Sequence, residues 1–260
     1  MALVSETWSS TSFPEVAVFV AGRVPALERE RFAGTVGRLL SRFPAAGGAR
    51  LRITGPRRDD GPMVVQVNLS VGGTQARIQT LARRRGDALP TVVRLERQIK
   101  ALQKAWQPRP WPDQDRRPLD APGPGDLVRR KVVALLTGSP TAAAAIMDAM
   151  DYDAHLFTDA ETGEDAVVHR AGPFGLRMAR QDSVRTPSSV AGTPGLFTVY
   201  PRPAPELTET DAVARVCEYG LPSLFYTDAA SGRGHLMYRR YDGGLTLVAP
   251  ATGGTDAATA

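Results

Sequence analysis

Phe157-Thr158-Asp159-Ala160-Glu161-Thr162-Gly163 returns as Tyr226-Thr227-Asp228-Ala229-Ala230-Ser231-Gly232, 69 residues later and in register on both sides. The same offset pairs Leu127 with Leu196, Val128 with Phe197, Ser139 with Thr208, Arg170 with Arg239 and Leu176 with Leu245. The C-terminal half is therefore a duplicated module. Two copies are too few for a solenoid, so the expectation is two small domains packed on each other. Each copy reads as strand, helix and hairpin: Leu127 to Val133, Thr141 to Met150 and strands turning at Glu161-Thr162-Gly163, then Leu196 to Tyr200, Glu209 to Glu218 and strands turning at Ala230-Ser231-Gly232 and Asp242-Gly243-Gly244. Aromatic residues on such short strands have little core of their own to enter, so Phe157, Tyr226 and Tyr238, with the repeat-related apolar Val167 and Leu236, are expected between the copies.

Ahead of the repeats lies a different pattern. Val16, Val18 and Val20 alternate as one strand, and Phe32, Val36, Leu39 and Leu40 then fall at helical spacing behind Pro25. Leu51 and Ile53 alternate with Arg50 and Arg52, and Val65, Val67, Leu69 and Val71 with Gln66, Asn68 and Ser70. Gly72-Gly73 is a hairpin signal, and Val92, Leu95, Ile99, Leu102 and Trp106 mark a closing helix. The fold class is thus α+β: a β-α-β-β-β-α domain with a four-stranded sheet and two helices on one face, then two tandem small α/β domains forming a pseudo-dimer. The expected boundaries are a disordered tail over 1–13, the first domain over 14–106, a linker over 107–126, repeat 1 over 127–178, a loop connector over 179–195, repeat 2 over 196–250 and a tail over 251–260. Six prolines in 107–126 deny that linker regular hydrogen bonding.

Charge is split along the chain. Residues 1–107 carry 17 Lys and Arg against 8 Asp and Glu, and residues 108–260 carry 15 against 19, so the halves are +9 and −4. A basic half is the footprint of a nucleic-acid binder. Arg29, Arg31, Arg38 and Arg42 decorate the first helix, Arg83, Arg84 and Arg85 precede the last one, and Arg94, Arg97, Lys100 and Lys104 lie opposite its apolar stripe. These are the expected RNA-backbone contacts, guanidinium groups being suited to bidentate phosphate binding.

Enzyme chemistry finds no foothold. His155, His169 and His235 are scattered in repeat strands, Cys217 has no CxxC partner, and there is no glycine-rich phosphate loop. Asp148, Asp151 and Asp153 lack the glycine and glutamate of a calcium loop. No catalytic residue, metal site, cofactor or small-molecule substrate is expected. Without a signal-type segment, a membrane-length apolar run or a possible disulfide, the expected location is the cytoplasm, away from membranes.

Leu95-Glu96-Arg97-Gln98-Ile99-Lys100 in the last helix, Val128-Arg129-Arg130-Lys131 opening repeat 1, the twice-present aromatic-Thr-Asp-Ala stretch and Tyr238-Arg239-Arg240-Tyr241-Asp242-Gly243 carry a family likeness. The chain resembles the long form of the ribosome hibernation-promoting factors, the sigma-54 modulation family. The resemblance implies that the first domain enters the tRNA and mRNA channel of the 30S subunit at the decoding region. There it would contact 16S rRNA and ribosomal proteins, silencing 70S ribosomes in stress. The usual long form has one C-terminal domain that pairs with that of another molecule to join ribosomes, whereas this chain has two. In this it resembles the hypoxia- or dormancy-associated variants of actinobacteria. The expectation is a monomer by internal pairing that silences ribosomes without dimerising them. The competing expectation is an RNA-anchored adaptor that recruits a regulator through its acidic repeats.

Overall fold

The computed structural model describes residues 6–9, 13, 15–55, 62–82, 86–109, 123–170, 175–191, 195–240 and 243–251. Arg83, Arg84, Arg85, Tyr241, most of the proline-rich linker and most of both tails lie outside these residues. The chain divides into two compact units, Met1–Gln107 with Ala149–Asp151, and Pro108–Asp148 with Tyr152–Ala260.

In the front unit, β1 (Glu6–Ser9), β2 (Val16–Ala21), β3 (Ala49–Thr54), β4 (Met63–Val71) and β5 (Thr74–Ala82) hydrogen-bond in that order as one sheet. Strands β2 and β3 run parallel, joined by α1 (Ala26–Leu40), and the other pairs are antiparallel. The helix α2 (Leu89–Leu102) closes the unit. Strict alternation decides what each strand buries. Val16, Val18, Leu51, Ile53, Val65, Val67 and Ile78 face Phe32, Val36, Leu39, Leu95 and Ile99 of the two helices in a single core. Each such side chain contributes about 1.5–3 kcal/mol on burial. The hairpin between β4 and β5 turns on Gly72 and Gly73, at φ 54° and 82°, a left-handed pair that only glycine adopts without strain.

The sheet has five strands, not the expected four, because β1 forms inside what the sequence marks as a tail. Four residues with no alternation of their own gain their order from the free edge of β2. Pro25 sits at the N-cap of α1, one residue outside the first turn, and α2 stops at Leu102, four residues short of Trp106.

The back unit holds β6 (Leu127–Val133), β7 (Thr137–Gly138), α3 (Pro140–Ala149), β8 (Ala154–Asp159), β9 (Asp165–His169), β10 (Arg177–Arg180) and α4 (Ser188–Ala191), then β11 (Thr198–Val199), β12 (Glu206–Leu207), α5 (Glu209–Glu218), β13 (Ser223–Asp228), β14 (Gly234–Arg239) and β15 (Leu245–Pro250). Two sheets form, ordered β11-β10-β9-β8-β7 and β6-β15-β14-β13-β12. The opening strand of each repeat crosses into the sheet of the other. Arg129 pairs with Thr246 across β6 and β15, and their counterparts 69 residues away, Thr198 and Arg177, pair across β11 and β10. The duplication seen in the sequence is thus a reciprocal strand exchange within one chain.

The connector expected over 179–195 begins as structure. Ala179 and Arg180 belong to β10, and the Arg180 guanidinium is buried, donating from Nε to Asp159 at 2.5 Å and from one terminal nitrogen to the Arg185 carbonyl at 2.7 Å. An arginine at a strand end reads as solvent-facing until its buried carboxylate is known. The signal was nonetheless present, since residues 178–180 map by the repeat offset onto the apolar 247–249 of β15.

Candidate nucleic-acid interface

Helix α1 carries four of the expected cationic contacts, and the fold uses two of them internally. Arg31 donates to the buried Glu28 carboxylate at 2.6 Å, and the other oxygen of Glu28 accepts the Gly86 backbone N–H at 3.1 Å, tying α1 to the turn before α2. Arg29 donates from Nε to the Val24 carbonyl at 3.2 Å. Arg38 and Arg42 stay exposed, Arg42 lying 3.9 Å from Glu96 of α2.

On α2, Arg94 is only 11% exposed and pairs at 2.6 Å with Asp151, one of the three residues that group with the front unit. Arg97, Lys100 and Lys104 are exposed. Lys100 bonds Glu96 at 2.6 Å, and that bond, opposed by a little burial and helped by the charges of Lys100 and Arg42, holds the Glu96 carboxyl below its ordinary range. Glu96 therefore offsets part of the cationic surface shared by the two helices. Of the expected helix cations, Arg38, Arg42, Arg97, Lys100 and Lys104 are exposed.

The sequence reading passed over a second surface, the sheet face turned away from both helices. Register places its side chains in two rows: Ala17, Arg50, Asn68 and Arg77, then Phe19, Arg52, Gln66 and Gln79. No carboxylate stands among these eight positions. Arg50 and Arg52 are exposed and make no ion pair with any described residue, while Phe19 is half-buried beside Arg52. Gln79 accepts from both Gln66 and Arg77, the latter at 2.9 Å, which fixes a cross-strand row of amide and guanidinium groups. The signal is the alternation Arg50-Leu51-Arg52-Ile53, which marks a strand with a basic outward row. Guanidinium planes, amides and one aromatic on an acid-free sheet can bind phosphates and stack on unpaired bases.

In the back unit the interface between the repeats is built from Leu156, Val167, Ala179, Phe225 and Leu236, with Leu135, Ala154, Ala204 and Val248 around them. Val167 and Leu236 lie where the sequence places them. Phe157 and Tyr226 do not: Leu156 pairs with Val167 in register, so Phe157 points to the other side of its sheet, and Tyr226 packs with Ala212 and Val216 of α5. Strand alternation turned Phe157 and Tyr226 away and put their neighbours Leu156 and Phe225 at the interface. Tyr238 accepts a hydrogen bond on its hydroxyl from Lys131 of the exchanged strand at 2.8 Å.

His155 and His169 are half-buried, and desolvation, reinforced at His169 by the nearby Arg177 charge, pushes both down to about 4. His235 is lowered by burial as well. All three are neutral structural groups at physiological pH. Among the described residues no group of three His, Cys, Asp or Glu is placed to hold a metal ion. Among the same residues no helix is long and apolar enough to cross a membrane.

These features define a two-part protein, a cationic α+β unit followed by a strand-exchanged pair of repeats. A sequence profile described as the C terminus of the sigma 54 modulation/S30EA ribosomal protein matches residues 123–177, the span of repeat 1. Proteins described as dormancy associated translation inhibitor, from Mycobacterium tuberculosis strains CDC 1551 / Oshkosh and ATCC 25618 / H37Rv, are each 52% identical over 247 residues. Those residues are 93% of this chain and 90% of either relative. The chain belongs to the sigma-54 modulation/S30EA family, in its long, hibernation-factor form.

Proposed function

We propose that the protein is a translation inhibitor of resting cells that acts as a ribosome hibernation factor without enzymatic chemistry. Its front unit binds 16S rRNA of the 30S subunit in the tRNA and mRNA channel at the decoding region. The relationship to dormancy associated translation inhibitors over nearly the whole chain supports the inhibitory role. The observation that supports the RNA contact is the sheet face of Arg50, Arg52 and Arg77 beside Phe19, whose eight aligned positions hold no carboxylate, in the half of the chain (residues 1–107) with charge +9. The exposed helix cations Arg38, Arg42, Arg97, Lys100 and Lys104 form a second line of backbone contacts, joined by Arg83, Arg84 and Arg85. Each phosphate neutralised releases counterions, so affinity falls steeply with salt.

The back unit keeps its own pairing surface occupied, and the protein silences single 70S ribosomes as a monomer without joining them. The test is co-sedimentation of the full chain with 70S ribosomes across a salt series, with translation assayed in parallel. Reversing Arg50, Arg52 and Arg77 to Glu should abolish both binding and inhibition. Wild-type affinity in that variant would remove the sheet from the interface. A ribosome-dimer peak in sucrose gradients would overturn the single-ribosome reading.

A further inference from the structure

Asp165 and Gly234 occupy the same position in the two repeats, 69 residues apart, and the folded chain brings them against each other. Asp165 Oδ2 accepts the Gly234 N–H at 2.9 Å, and a Cβ placed on Gly234 would lie 2.6 Å from the Asp165 Cβ. Counterparts that touch lie on the axis relating the repeats, and at this axis only one of the two can carry a side chain. The Asp165 carboxylate, 2% exposed, is held by Arg233 at 2.7 and 3.1 Å and by the Thr158 hydroxyl at 3.1 Å. The counterpart of Arg233 is Glu164. The Phe225 ring also fills the space beside Gly234, 2.9 Å from the same added Cβ, and its counterpart is the smaller Leu156.

Repeat 1 thus presents Leu156, Glu164 and Asp165 where repeat 2 presents Phe225, Arg233 and Gly234. We propose that this difference makes the pairing obligatorily heterotypic, so that repeat 1 accepts repeat 2 and rejects a second copy of itself. Two copies of repeat 1 would force two Asp165 side chains into a space that holds one, with glutamates where the neutralising arginine stands. Two copies of repeat 2 would set Arg233 against Arg233 with no buried carboxylate and leave the axis unfilled. A second chain could enter only by reciprocal exchange of both repeats, against a tethered partner already present at an effective concentration of order millimolar. The consequence for ribosome dimers rests on the proposed function, whereas the pairing rule itself is a property of the free chain.

The test therefore uses the full chain without ribosomes. Phe225→Leu, Arg233→Glu and Gly234→Asp together give both repeats the repeat 1 pattern. Adding Leu156→Phe, Glu164→Arg and Asp165→Gly to these completes a reciprocal exchange that restores one pattern of each kind. Amide hydrogen exchange in β9 and β14 is expected to accelerate by about a hundredfold or more in the triple variant, the scale set by leaving a buried charge without its partner. The sixfold variant should recover most of that protection although it carries every change of the triple. Some deficit remains, because Glu164 also accepts the backbone N–H groups of Asp182 and Ser183. A triple variant as protected as wild type, or a sixfold variant no better than the triple, overturns the proposal.

Discussion

The front sheet packs one face on its helices and has no element of its own unit among the described residues on the other, whereas the back sheet of β13, β14 and β15 is covered twice. Tyr226, Met237 and Leu247 pack under α5 on one side, and Phe225 and Leu236 meet the other repeat on the opposite side. The two regions spend similar strands differently. A sheet with one face clear of its helices can display the exposed Arg50 and Arg52 to a ligand, while a sheet buried on both faces has only edges and loops to offer. On the proposed function, recognition by side-chain rows belongs to the front, and self-recognition to the back.

Acid separates the two regions most sharply, because all three histidines lie in the back unit. His155 and His169 sit at about 4 when folded against an ordinary 6.5, so they stay neutral in the fold while the unfolded chain takes up protons. Stability from this source is complete above 6.5 and is lost as pH falls toward 4, by about 3 kcal/mol per histidine. Burial raises Asp165, but its bonds from Arg233, Gly234 and Thr158 outweigh that and hold it below 3.8, which adds a further loss at still lower pH. Hydrogen exchange across pH 7 to 4 should show the back strands opening well before those of the front core. Equal acid sensitivity of both units would dissolve the contrast.

The next effect is on ribosome binding. If two or three desolvated charge contacts of about 1.5–3 kcal/mol each are lost, Arg50→Glu, Arg52→Glu and Arg77→Glu together weaken binding by roughly a hundredfold or more. The Arg97, Lys100 and Lys104 reversal should cost less, because Glu96 already offsets Lys100. A larger loss from the helix variant would move the main contact from the sheet to α2.

Smaller again, Leu236→Ala at the repeat interface should destabilise the back unit by about 2–5 kcal/mol and leave the urea midpoint of the front unit unchanged. Tryptophan fluorescence follows the front, since residues 8 and 106 belong to that unit and the third tryptophan, residue 111, lies in the proline-rich linker outside both repeats. The smallest effect is expected at Arg130, which pairs with Glu209 at 2.5 Å in full view of solvent. Its replacement by Ala should leave the melting temperature of the back unit unmoved, because exposed ion pairs contribute little.

Much of this was legible beforehand. Alternation at Val16 to Val20 and Val65 to Val71 gave β2 and β4, and α5 was read to the residue as Glu209–Glu218. The repeat itself, the basic front half and the family likeness needed no coordinates. The cationic site was only half legible. A count of arginines on helices cannot tell Arg31, tied to buried Glu28, from Arg97, which is exposed.

Sequence by itself determined the periodicities, the duplication and the charge asymmetry, because each is a property of residue order and side-chain chemistry. Tertiary structure alone decided that β6 and β11 change places, since strand pairing depends on which free edge lies nearest and not on the pattern of the strand. It also decided that Leu156 and Phe225, not Phe157 and Tyr226, meet between the repeats, a one-residue difference that reverses every side chain of a strand. The meeting of Asp165 with Gly234 belongs to the same class: the offset makes them counterparts, but only the packed pair shows that they share one space.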